Sequence, residues 1–186
     1  MDLSKLIKCY DNVLPETFCN YFINFLEKNI SSAKKYEEDG TPNFTKLDFT
    51  GFFDDDLSNQ INTAVAYIFH EQAKIYAKDT DTEQFFPINY EFEALRVKKY
   101  MNNDSDEFRT HVDIGDAATS TRFLNMFCYL NDVEQGGETK FPFLQQSFKP
   151  KRGSLLIFPP YWFFPHSGEK PISGPKYLLA TNLHYC

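Results

Sequence analysis

Long apolar runs are missing from this 186-residue chain, and no stretch approaches the length needed to cross a bilayer. The opening segment MDLSKLIKCY has no apolar core of the kind that leads a secretory signal, so no signal peptide and a soluble, cytoplasmic protein are expected. Positive charge is scarce. Nineteen Lys and Arg against 26 Asp and Glu leave a net charge of −7, which argues against a nucleic-acid backbone or an anionic membrane as the main partner. A local basic groove stays open. Only four cysteines occur, Cys9, Cys19, Cys128 and Cys186, with neither CxxC nor zinc spacing. Free thiols in a reducing compartment follow. Internal repeats, low-complexity tracts and linkers are also absent, so residues 1–186 read as one domain.

Aromatic residues, by contrast, are abundant. Twenty Phe and eleven Tyr imply a core packed with rings. The stretch LIKCYDNVLPETFCNYFINFLEKN reads as a short strand, a turn and a helix. Pro15 suits the helix start, and Phe18, Phe22, Phe25 and Leu26 form its apolar face. Residues 31–55 are polar and read as a long loop with at most one short strand. A second helix follows, with Leu57, Ile61, Val65 and Ile68 on one side; His70 on it reads as a rim histidine. Beyond residue 85 the runs INYEFEALRVKKY, TRFLNMFCYLND, GETKFPF, GSLLIFPPYWFF and KYLLATNLHY are strand-like, separated by NNDSD, QGG, KPKRG and PISGP turns. Residues 1–85 are thus mainly helical support and residues 86–186 the β part. The class is α+β, with the β part a sandwich or jelly roll.

With only four histidines in the chain, FRTHVDIGD draws the eye. At a strand end, residues i and i+2 share a face, so His111 and Asp113 can present an imidazole and a carboxylate to one point. Such triplets are common by chance. A second histidine arriving from elsewhere would complete a two-His, one-carboxylate set, which leaves open metal positions and suits non-haem Fe(II) oxygenases. His166, in FFPHSGEK, follows an apolar strand and is a candidate. Lys176 opens the last strand, where alternation places Lys176, Leu178, Ala180 and Asn182 on one face. A lysine leading an inward apolar face needs an anion, unless it reaches out to water.

The series HVD, YLNDVEQGGETKFP, KRGSLLIFP, His166 and GPKYLL resembles the 2-oxoglutarate- and Fe(II)-dependent dioxygenases of the prolyl 4-hydroxylase type, over roughly residues 90–185. YDNVLPETFCNYFINFLE is similar to the start of that catalytic domain. The resemblance implies a double-stranded β-helix (jelly roll) core with the N-terminal helices packed on one sheet. It implies His111, Asp113 and His166 as iron ligands, and Lys176 as the anchor of the distal carboxylate of 2-oxoglutarate. Tyr129 and Thr139 match positions lining that pocket, and Tyr100 matches a tyrosine near the cosubstrate. Asn182 falls where relatives place a residue close to the metal. Arg122 matches a position near the substrate entrance, although a surface salt bridge is the better reading of it. A non-metal partner beside each iron histidine is expected to fix its tautomer.

The implied activity is hydroxylation of a prolyl residue in a peptide or protein, with Fe(II), 2-oxoglutarate and O2, ascorbate as an optional further cofactor, and succinate and CO2 as products. No nucleic-acid or membrane partner is expected. Other side chains or small metabolites remain alternative substrates, and a jelly roll that has lost activity and serves as a binding module is the alternative of another class. Two departures bear on the substrate. The segment before His111, YMNNDSDEFRTHVD, lacks the glycines often found there, and residues 31–55 carry no substrate signature. Trp162 reads as core or rim, and His184 as a structural histidine.

Overall fold

The structure, a computed structural model, describes residues 2–37, 43–49 and 56–186. Strand β1 (Lys8–Tyr10) leads into helix α1 (Glu16–Lys28), followed by β2 (Lys34–Tyr36), β3 (Phe44–Asp48) and helix α2 (Asp56–Asp79). The rest is strand and turn: β4 (Tyr90–Phe92), β5 (Arg96–Tyr100), β6 (Phe108–His111), β7 (Arg122–Tyr129), β8 (Thr139–Phe141), β9 (Gln146–Phe148), β10 (Leu155–Phe158), β11 (His166–Gly168) and β12 (Lys176–Tyr185).

Two antiparallel sheets result. The larger runs β1-β10-β7-β12-β5-β3-β2, with β4 also paired to β12, and the smaller runs β6-β11-β8-β9. Alternation along each strand divides the core in two. Met126 and Cys128 of β7 and Leu179 and Leu183 of β12 face the helices, where they meet Phe22 and Leu26 of α1 and Val65 and Phe69 of α2. Phe127, Tyr129, Leu178 and Ala180 face the other way, onto Phe141 and Phe164. This is the expected α+β jelly roll, with the helices packed on one sheet.

Helix α1 starts at Pro15, whose φ of −56° already suits helix entry. Glu16 in the first turn and Lys28 in the last complement the helix dipole. Helix α2 corrects the sequence-based face. Its buried residues include Ile61, Val65, Phe69, Ala73 and Tyr76, while Leu57 is 57% exposed and Ile68 only packs at the margin. The apolar stripe begins a turn later than Leu57 suggests, and in the first turn it is Ser58, not Leu57, that is buried.

Residues 31–55 hold two strands, not one. β2 and β3 pair as a hairpin, and β3 extends the large sheet by pairing with β5; residues 38–42 and 50–55 lie outside the described residues. The glycine-poor segment before β6 is held by Asp106, fully buried. Its carboxylate accepts from Lys35 Nζ at 2.7 Å and from the Met101 amide at 2.9 Å. An ion pair to β2 thus does the ordering that glycine turns would otherwise do.

Candidate active site

Pairing of β6 with β11 sets His111 directly opposite His166. Strand β6 ends at His111, so Asp113 sits in the bend just beyond it rather than inside the strand. The bend still turns its carboxylate back. Asp113 Oδ1 lies 3.5 Å from His111 Nε2, and Oδ2 lies 3.4 Å from His166 Nε2. One donor atom from each of the three residues falls within 4.8 Å of the others.

The tautomers are fixed by backbone. His111 Nδ1 lies 2.8 Å from the Arg109 carbonyl and His166 Nδ1 lies 3.2 Å from the Phe164 carbonyl. A carbonyl only accepts, so each Nδ1 carries the proton and each Nε2 turns a lone pair toward Asp113. His166 Nε2 is buried with no hydrogen-bond partner. Such an atom is costly unless something fills the space before it. Burial drives His166 down to about 4, with Asp113 opposing, so its imidazole is neutral at neutral pH. Burial would raise Asp113, but His166, which becomes charged at the acid pH where Asp113 would titrate, and then His111 and Lys98 hold the carboxyl well below the usual range. Two imidazoles, each anchored through Nδ1, and one carboxylate at a common point suit a divalent metal with open positions. The orphaned Nε2 is the observation that such an ion would satisfy.

A chain of polar contacts, invisible in the sequence, steadies Asp113. Asn125 Nδ2 donates to its Oδ2, and Arg122 Nη1 donates to its carbonyl at 3.0 Å. Glu93 then organises the surroundings. Its carboxylate accepts from Arg122 Nε at 2.5 Å and Nη2 at 3.0 Å, from Arg96 at 2.9 Å and from Asn182 Nδ2 at 2.8 Å. Arg122 is therefore an ion-paired support of Asp113, and Asn182 belongs to the Glu93 cluster rather than to the cleft beside the histidines. Glu93 escaped the sequence reading because its alternation in YEFE is that of any half-exposed strand residue.

A narrow cleft between the sheets joins His111 and His166 to Lys176, Tyr100 and Thr139. Lys176 is fully buried. Its Nζ donates to the Gly137 carbonyl at 2.6 Å and lies 5.3 Å and 5.7 Å from the ring centroids of Tyr100 and Tyr129. No carboxylate touches it among the described residues. Burial, with Lys98 adding to it, pushes the ammonium down to about 7. The Gly136–Gly137 turn builds this end of the cleft. Both residues have positive φ, 74° and 77°, and a Cβ on Gly136 would lie 2.3 Å from the Lys170 carbonyl oxygen. Only glycine fits there. The buried Tyr129 hydroxyl donates to Thr139 Oγ1 at 2.8 Å, which leaves the Thr139 proton free to point into the cleft. Burial raises both the Tyr100 and Tyr129 phenols far above their ordinary range.

The other flagged residues lie elsewhere. His70 takes a 2.7 Å contact from the Tyr90 hydroxyl, and His184 Nδ1 contacts the Tyr185 carbonyl at 3.1 Å. Trp162 is 77% exposed, so it is not a core residue. All four cysteines are free, and among the described residues no helix is long and apolar enough to cross a membrane.

Residues 95–184 match the family model of the 2OG-Fe(II) oxygenase superfamily. A 65-residue stretch is 37% identical to a protein of Acanthamoeba polyphaga mimivirus that carries the provisional name prolyl 4-hydroxylase. That match takes in 31% of this chain and 27% of the viral protein. Among solved structures, the viral collagen prolyl hydroxylase of Paramecium Bursaria Chlorella virus-1, in a 2OG complex, superposes with a TM-score of 0.73 at 20% identity, covering 97% of both chains. A Pseudomonas putida prolyl-4-hydroxylase gives 0.70 at 14% identity, over 100% of this chain and 96% of that one. A Trichoplax adhaerens prolyl hydroxylase, bound to a hypoxia inducible factor peptide fragment, gives 0.73 at 14% identity, over 97% and 84%. At such identities the structural likeness establishes the shared fold.

Proposed function

On the premise that residues 95–184 are a 2OG-Fe(II) oxygenase domain, we propose that this chain is an Fe(II)- and 2-oxoglutarate-dependent dioxygenase that hydroxylates a prolyl residue in a peptide or protein. The reading takes residues 1–186 as one catalytic unit working in the cytoplasm. The observation that carries it is a pairing within one cleft. Three metal-type donors, one of them a buried Nε2, stand at one end, and a fully buried lysine stands at the other; among the described residues that Nε2 has no hydrogen-bond partner and the lysine no counter-ion.

In this reading His111 Nε2, His166 Nε2 and an Asp113 oxygen hold the metal. Bound Fe(II), with 2-oxoglutarate and O2, supplies the oxidising power that couples decarboxylation to succinate with hydroxylation of a C–H bond, and ascorbate keeps the iron ferrous. The chain's own residues bind, orient and exclude water. The Arg109 and Phe164 carbonyls keep both histidines in the metal-binding tautomer. Asn125 and Arg122 fix the carboxylate between them. Lys176 meets the far carboxylate of the keto acid with a charge-assisted hydrogen bond in a dry pocket. Thr139 donates beside it, its orientation set by Tyr129, and the Tyr100 ring walls the site. A binding module that had lost activity would have no reason to keep an uncompensated lysine and an unpartnered histidine buried together.

A prolyl substrate is supported by the names of the viral, bacterial and animal relatives. The test is mass spectrometry of a proline-containing peptide library incubated with the protein, Fe(II), ascorbate and 2-oxoglutarate. The expected result is succinate together with one added oxygen on proline. Oxygen added only to other residues would retain the chemistry and reject the prolyl substrate.

A further inference from the structure

Lys98 stands on the inner face of β5, opposite Leu178 of β12 and two residues from Tyr100. It lines the same cleft as His111, His166 and Lys176. Its Nζ lies 5.0, 5.6 and 5.9 Å from the ring centroids of Phe44, Phe127 and Phe108, and Phe108 is itself stacked on His111. Among the described residues this ammonium has neither a hydrogen bond nor an ion pair. Aromatic faces hold a cation without neutralising it. Burial pushes Lys98 down to about 8, Arg96 acting the same way and Asp113 opposing, so at neutral pH it remains a cation.

Its place in the cleft is informative. Lys98 feels the Asp113 carboxylate on one side and depresses Lys176 on the other. Two lysines, Lys176 fully buried and Lys98 half-buried, therefore line one narrow cleft, with Lys98 beside the Phe108 ring that stacks on His111. For folding alone this is a poor arrangement, since two like charges line one cleft with no counter-ion among the described residues, and a leucine or methionine at 98 would pack without that repulsion. The arrangement becomes favourable when an anion with charge at both ends lies between them.

We propose that Lys98 is a second carboxylate-binding residue: it holds the carboxylate that lies next to the metal donors, while Lys176 holds the far one, so the cleft selects a short keto acid with a carboxylate at each end. This rests on the keto-acid reading given above. It separates the work of two lysines that a single binding constant would merge.

The test loads wild type, Lys98→Met and Lys176→Met with Mn(II) and titrates each by calorimetry with two probes. One is 2-oxoglutarate. The other is pyridine-2-carboxylate, which chelates a metal through its nitrogen and one carboxylate and has no distal acid group. Lys98→Met should weaken both probes, roughly 10–100-fold for one lost charge-assisted contact, with Mn(II) affinity unchanged. Lys176→Met should weaken 2-oxoglutarate alone. Should Lys98→Met fail to fold, Lys98→Gln, which keeps a donor but not the charge, should show a smaller loss on both probes. Wild-type affinity of Lys98→Met or Lys98→Gln for pyridine-2-carboxylate overturns the proposal, and so does an effect confined to the KM of the peptide substrate. A wild-type protein that takes up Mn(II) but binds neither probe overturns the keto-acid reading itself, and this inference with it.

Discussion

Replacing Lys176 with methionine should make the metal-free protein more stable while removing its grip on 2-oxoglutarate. The fall of the ammonium from 10.5 to about 7 corresponds to about 4–5 kcal/mol set against the charged form in the fold. The side chain is fully buried, so solvent screens little of this. Methionine fills similar space without charge. The Gly137 carbonyl loses its 2.6 Å donor, which costs about 1–3 kcal/mol if nothing replaces it. A net gain of about 1–3 kcal/mol remains, or roughly 3–10 °C in melting temperature for a chain of this size. The sign follows from linkage. Lys176 is depressed in the fold, so between about 7 and 10.5 the unfolded chain binds the extra proton and stability rises with pH. The penalty is complete below pH 7 and gone above 10.5. Differential scanning calorimetry at pH 7 and pH 10 should therefore find the Met variant ahead at pH 7 and level with or behind wild type at pH 10, where the charge penalty is mostly gone and the lost Gly137 contact remains. With Mn(II) already bound to both, added 2-oxoglutarate should raise the melting temperature of wild type and not of the variant. A variant that melts below wild type at pH 7, or a gap that does not shrink with pH, would refute the account of Lys176 as an uncompensated buried cation.

Glu93→Gln should loosen the Arg122 and Asn182 contacts that steady Asp113 and weaken metal binding about 10-fold; a metal titration with unchanged affinity would remove Glu93 from the site's support. Gly136→Ala forces a Cβ to within 2.3 Å of a carbonyl oxygen at a φ of 74°, so a loss of about 2 kcal/mol or more in chemical denaturation is expected, and full stability would show that the turn can relax. Tyr129→Phe should free Thr139 to rotate and raise the KM for 2-oxoglutarate several-fold at unchanged metal affinity, whereas an unchanged KM would make Tyr129 a packing residue only.

How much of this could be read from the chain depends on the reach of each interaction. The inward face of β12 was legible as far as Asn182, because alternation is local and the register with β7 shifts only beyond it, between Leu183 and His184. The meeting of His111 with His166 depended on a strand pairing across a long separation, and resemblance supplied what periodicity could not. The β2–β3 hairpin was hidden because β2, at the sheet edge, is polar, and β3 gives the core only Phe44 and Leu47 among polar neighbours. The stripe on α2 was misplaced because a leucine in the first turn fits the helical period whether or not anything lies beneath it. The partners of the histidine Nδ1 atoms are backbone carbonyls, which every sequence contains and none advertises. Glu93 gathers Arg96, Arg122 and Asn182 from three different strands, and no spacing in the chain marks such a hub.

The central claim is that His111, Asp113 and His166 hold Fe(II) at one end of a cleft whose other end binds 2-oxoglutarate. Its most direct test is an anaerobic calorimetric titration of Fe(II), then of 2-oxoglutarate, into wild type and His166→Ala. The account predicts one tightly bound iron in wild type, 2-oxoglutarate binding that requires that iron, and loss of both in the variant. Equal iron uptake by His166→Ala, or 2-oxoglutarate binding indifferent to iron, would contradict it.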